Sequence, residues 1–225
     1  MKQRDKKDSK VAPPQRHRGA SVSLPSLPSL SSLESPQTAG FIPPHGGYEN
    51  LLSYQKARIV YDATVYFTAR FLDKKDRTCD QMVQAARSGK QNIVEGSQIS
   101  GTSKELEIKL TNVARASLEE LLDDYRDFLR TRGLAEWTPE HPHTQRLRRL
   151  NRTPGANYDT FRKGIQHHDP AICANVILGL VKVTSYLLDR QLKSLEKAFI
   201  EQGGLREAMT RARLTHRAKQ WNTPK

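Results

Sequence analysis

The chain has 225 residues, with 37 Lys and Arg against 24 Asp and Glu, a formal charge of +13, and 36% hydrophobic residues. That length allows one domain with tails or two small ones, and the mean hydropathy of −0.70 leaves part of the chain outside any packed core. Two widely separated cysteines, Cys79 and Cys173, exclude a disulfide framework and a zinc spacing and fit a reducing cytosol.

The charge is uneven. Residues 1–20 hold seven basic against two acidic side chains, residues 201–225 six against two, and residues 51–200 hold 24 against 18. Basic ends on a near-balanced body favour a polyanionic partner such as RNA, DNA or an acidic protein, although such ends also simply keep proteins soluble. The basic N-terminus runs into Val11, Ala12, Pro13 and Pro14 rather than an apolar core, so no secretory signal is expected. No unbroken stretch reaches the roughly 18 apolar residues of a membrane span. The cytoplasm is the expected location.

In chain order, residues 1–46 read as a disordered tail, basic and then Pro/Ser-rich. Leu24-Pro25-Ser26 repeats as Leu27-Pro28-Ser29, and each proline removes an amide donor that a helix needs. A bundle is expected over 47–203. Its first helix, about 49–72, contains no Gly or Pro and spaces Leu51, Tyr54, Ala57, Tyr61, Val65 and Phe71 helically. Ile59, Val60, Tyr66 and Phe67 widen that arc beyond one seam, which marks the helix as a candidate subunit interface.

The second helix, about 78–97, has one small face of Met82, Ala85, Ala86, Gly89, Ile93 and Gly96. A mid-helix glycine costs about 1 kcal/mol against alanine, which close approach of another backbone would offset. Thr78 with Gln81, and Thr102 with Glu105, match capping boxes opening the second and third helices. The third helix, about 102–132, carries Leu106, Leu110, Val113, Ser117, Leu121, Tyr125 and Phe128 in one line and ends at Gly133. Short helices are expected at 145–151 and 158–166. Asp169 followed by Pro170 is a strong start signal for the fourth, about 170–202. Residues 204–225 read as a basic helical tail. The pattern is all-α, an antiparallel four-helix bundle with a basic C-terminal helical extension and a disordered N-terminal tail.

Several short signatures carry more than periodicity. Tyr54-Gln55-Lys56-Ala57, then Gln81-Met82, Ala85-Ala86, Asn92-Ile93 and Glu95-Gly96, resemble the four-helix-bundle family of 23S rRNA intervening-sequence proteins. The run from Ala114 to Leu121 is also similar. That family is related to the accessory variability determinant of diversity-generating retroelements. Trp137, His141-Pro142 and the stretch from Glu201 to Met209 look like the C-terminal suffix of its extended members. The resemblance covers roughly residues 48–217. It implies ring-like homo-oligomers, often pentamers, that bind nucleic acid through basic surfaces without enzymatic activity.

Arg146, Arg148, Arg149 and Arg152 form the densest basic cluster, and with Arg211, Arg213 and Arg217 they are the expected phosphate contacts. Arg87 and Lys90 are either further contacts or a solvated face. Asn92 and Glu95, three apart, read as a structural polar pair that fixes helix register. Trp137, Tyr158 and Trp221 are the aromatic residues placed for base stacking. His141, His143, His167 and His168 are too close or proline-broken for a helical metal pair. The acidic run Glu119, Glu120, Asp123, Asp124 and Asp127 lacks the Glu-x-x-His motifs of a di-iron bundle. Neither metal nor other cofactor is expected, and no catalytic motif appears. The expected role is a non-catalytic nucleic-acid-binding bundle, accessory to a nucleoprotein complex; the alternative is a protein-interaction scaffold.

Overall fold

The computed structural model describes Ile42 and residues 44–221, all within the unit Gly40–Lys225. The tail expected over 1–46 falls outside the described residues, apart from those few positions, as do the last four residues. After a 3-10 turn at Tyr48–Asn50 come α1 (Leu52–Phe71), α2 (Arg77–Ile99), α3 (Lys104–Thr131), α4 (Pro142–Asn151), α5 (Tyr158–Ile165), α6 (Pro170–Gln202) and α7 (Leu205–Trp221). No strand occurs among the described residues. The long helices form a closed set of neighbours: α1 packs on α2, α2 on α3, α3 on α6, and α6 on α1.

The caps explain where the helices begin, and two differ from expectation. Asp76, not Thr78, caps α2, its carboxylate accepting from the Thr78 N–H at 2.9 Å. Ser103, not Thr102, caps α3, its hydroxyl accepting from the Leu106 N–H at 3.2 Å. In both places neighbouring residues compete for one role, and the side chain that reaches a free N–H wins. Asp169 caps α6 as expected, accepting from the Ala171 N–H at 2.8 Å with Pro170 behind it. Gly133 closes α3 at φ 64°, and Gly203 closes α6 at φ 74°.

The small face of α2 is buried in full at Met82, Ala85, Ala86, Gly89, Ile93 and Gly96. A Cβ on Gly89 would lie 2.8 Å from Leu118 Cδ2, and one on Gly96 would lie 3.5 Å from the Glu107 carbonyl oxygen. Glycine is therefore what lets α3 lie so close. On the far side, Phe67 of α1 meets Tyr125 and Phe128 of α3 edge-on at 5.0 and 4.8 Å. The buried Tyr125 hydroxyl donates to Thr64 Oγ1 at 3.1 Å, and burial pushes the phenol well above its usual pKa.

The wide apolar arc of α1 is covered in part within the chain, with Tyr54, Tyr61, Tyr66 and Phe71 half-buried and Val65 exposed. Ile59, Val60 and Phe67 are buried; α1 packs on α2, α5 and α6, with Lys56 lying over the α5 ring of Phe161 at 4.9 Å. Leu52 and Val65 are what α1 leaves exposed. In the fourth long helix, an 18-residue window of mean hydropathy 1.8 is apolar enough by length and composition to cross a membrane, and 61% of it is buried inside the protein. A search for an unbroken apolar run passes over it because Asn175, Lys182, Thr184 and Ser185 interrupt it.

Gly89→Ala is expected to destabilise by about 1–3 kcal/mol through overpacking against Leu118, although alanine is the better helix former by about 1 kcal/mol. Urea unfolding gives the sign. A more stable variant would show that propensity outweighs the α2–α3 contact.

Candidate nucleic-acid interface

The expected short helices at 145–151 and 158–166 are present as α4 and α5, each seated on α6. His141 caps α4, its Nδ1 accepting from the His143 N–H at 3.3 Å, and Pro142 occupies the first turn. Only Leu147 of α4 is buried, at the place where Gly179 of α6 offers no side chain. With Leu147 turned inward, Arg146, Arg148, Arg149 and the following Arg152 all stand exposed. None of the four forms an ion pair among the described residues.

Several cations on α3 and α6 are tied down instead, although Arg190 and Lys193 of α6 are exposed without an ion pair among the described residues. Arg126 and Lys182 converge on Glu136 at 3.4 and 2.6 Å, Arg115 reaches Asp189 at 3.6 Å, and Arg130 reaches Asp127 at 2.9 Å. Burial pushes the Glu136 carboxyl up, but the hydrogen bonds and charges of Lys182 and Arg126 outweigh it and hold the group below its usual range. The acidic line along α3 behaves differently at Asp124, which burial and then Asp127, Glu120 and Asp123 push upward. That face repels an anion.

α7 has no buried residue. Arg213 and Arg217 are exposed without an ion pair among the described residues, and Arg211 donates from Nη2 to the Gln202 carbonyl at 2.7 Å. The two arginine clusters are not brought together. α4 sits beside Gly179 and α7 begins at Leu205, so at 1.5 Å rise per residue these two points lie about 40 Å apart along α6.

The α2 candidates divide. Arg87 is exposed, whereas the half-buried Lys90 holds its ammonium over the Tyr61 ring at 4.3 Å. Asn92 takes its partners from Ser88 and not from Glu95, which is exposed. Its Nδ2 donates to the Ser88 carbonyl at 2.9 Å and to Ser88 Oγ at 3.1 Å. Ser117 spends its proton on the Val113 carbonyl at 3.1 Å, so Ser88 is the donor in the 3.0 Å contact between the two hydroxyls. This relay crosses from α2 to α3. The polar contact between α2 and α3 here is made by Ser88 and Ser117, which periodicity alone does not single out, and Glu95 takes no part in it.

Sequence reasoning also misses Asn175. Buried on α6, its Nδ2 donates to the Ala135 and Ala171 carbonyls at 3.0 and 2.9 Å, and its Oδ1 accepts from the Trp137 N–H at 2.8 Å. One side chain fastens the α3–α4 connection to the core. Trp137 then stacks on His141 at 4.9 Å with the rings 5° from parallel. Compared with protein-family models, curated proteins and solved structures, the chain matches none.

Asn175→Ala is expected to cost about 1–3 kcal/mol for each backbone group left buried and unpaired. Urea unfolding followed by tryptophan fluorescence measures it. A loss under 0.5 kcal/mol, roughly an exposed-site effect, would mean the connection is held by other contacts.

Proposed function

We propose that α1, α2, α3 and α6 form an antiparallel four-helix bundle that self-associates and binds RNA or DNA through the arginines of α4 and α7, without catalysis. The observation that carries this reading is the contrast in pairing. Arg115, Arg130 and Lys182 have carboxylate partners at 2.6–3.6 Å, while Arg146, Arg148, Arg149, Arg152, Arg213 and Arg217 have none among the described residues. An arginine without a carboxylate keeps its guanidinium donors available for phosphate. The residue-level resemblance to 23S rRNA intervening-sequence proteins runs the same way, as does a ring-like homo-oligomer, a pentamer on that analogy. On this reading the protein is a cytoplasmic accessory of a nucleoprotein complex.

A protein-docking role is favoured by a separate observation: Ile200, Leu214 and Trp221, at the end of α6 and along α7, are 83%, 60% and 91% exposed. Absence of nucleic-acid binding at low salt would decide for it.

Binding to a fluorescent oligonucleotide is expected to weaken on the order of a hundredfold between 50 and 200 mM salt if four phosphates are neutralised. Reversing Arg148 and Arg149 to Glu should weaken it further and flatten that dependence. Unchanged affinity would remove α4 as the contact surface. Light scattering with absorbance at 260 and 280 nm on the purified protein reports the oligomer and any bound nucleic acid together; a monomer would overturn self-association.

A further inference from the structure

A cavity of about 350 Å³ lies where α4, α5 and the start of α6 meet, closed on one side by Trp137. That volume is at the small end of ligand sites. Two glycines shape it. A Cβ on Gly164 of α5 would come 2.9 Å from Val176 Cγ2, and one on Gly179 would overlap Leu147 Cδ2. The short helices are therefore seated closely on α6 at two points, and the cavity is the space between them.

The lining is divided by chemistry. Leu147, Phe161 and Val176 supply apolar walls, while Arg146, Lys163 and His167 bring hydrogen-bond donors. No carboxylate lines it. Neither Arg146 nor Lys163 forms an ion pair among the described residues. His167 Nδ1 accepts from the Asp169 N–H at 3.1 Å, so the neutral ring carries its proton on Nε2 and has a donor to spare. Two exposed cations without a counter-ion favour an anion, and Arg146 can grip a phosphate with two parallel N–H donors. The apolar walls add nothing for a bare ion and reward a ligand with a flat apolar body.

We propose that this cavity binds a phosphate monoester carrying a flat apolar group, the chemistry of a single nucleotide, either free or at the phosphorylated end of a strand. The choice of a nucleotide among aromatic phosphates rests on the nucleic-acid reading above; the cavity and its charge do not. Arg146 thereby has a role distinct from Arg148 and Arg149, which do not line the cavity.

The chain has two tryptophans, so in the Trp221→Phe protein the fluorescence reports Trp137 alone. That protein is titrated with AMP, adenosine and inorganic phosphate, and with a hexanucleotide bearing a 5′-phosphate or a 5′-hydroxyl. Saturable binding of AMP is expected, with adenosine and inorganic phosphate each at least about tenfold weaker. Arg146→Gln and Lys163→Gln should each weaken AMP about tenfold or more, and Arg70→Gln, on α1 outside the cavity lining, should leave it unchanged. A 5′-phosphate that strengthens hexanucleotide binding in an Arg146-dependent way identifies a strand end as the source; AMP binding with no effect of end phosphorylation identifies a free nucleotide. Equal binding of inorganic phosphate, insensitivity to both substitutions, or no response to AMP and the phosphorylated strand alike would each overturn the proposal. Salt-sensitive strand binding that persists without these responses overturns the cavity alone. AMP binding without any strand binding at low salt overturns the arginine surface and leaves the cavity standing.

Discussion

Six consecutive residues of α6, Cys173 to Leu178, are buried. Successive residues of a helix point about 100° apart, so an unbroken run of six cannot be covered by neighbours on one side. α3 and α1 cover two sides of this helix, and α5 and α4 are set against it as well. The short helices are thus part of what encloses α6. The same requirement explains why the α3–α4 connection is held so firmly: Asn175 turns a position that would otherwise be one more apolar contact into three backbone hydrogen bonds. The candidate sites on α4 and α5 exist because this helix has to be enclosed.

Much of the helical framework is legible in the sequence because it rests on local rules. The small face of α2 follows from three- and four-residue spacing, and the start of α6 follows from Asp169 and Pro170. Cap assignment fails by one or two residues at Asp76 and Ser103, where several capping residues stand in a row and only geometry selects one. The wide arc of α1 is only partly legible. A periodicity argument shows how much surface needs covering but not what covers it, and one of the helices packed on α1 is α5, whose Phe161 meets Lys56 about a hundred residues further on.

The site is less legible than the fold for the same reason. The exposure of the α4 arginines can be read from the pattern, since Leu147 and Leu150 are the apolar residues that this helix turns toward the core. Their lack of carboxylate partners cannot, because ion pairing depends on which elements lie alongside: Glu136 meets Lys182 across 46 residues of sequence. Gly164 and Gly179 look like ordinary helix-weakening glycines until Val176 and Leu147 are seen pressed against them. Asn175 and Trp137 are linked across 38 residues, a distance at which single-sequence reasoning has no signal.

The length of α6 has a consequence for any extended ligand. With α4 seated at Gly179 and α7 beginning about 40 Å further along α6, a strand bound as proposed above but too short to bridge the two helices would occupy one at a time, with the affinity of a single weak site. Once a strand is long enough to reach both, the second encounter becomes intramolecular, and affinity rises by the local concentration of the tethered end and not by any new contact. On the proposed binding mode, the helix between α4 and α7 would act as a ruler. Selection by such a protein would fall on length before it fell on sequence.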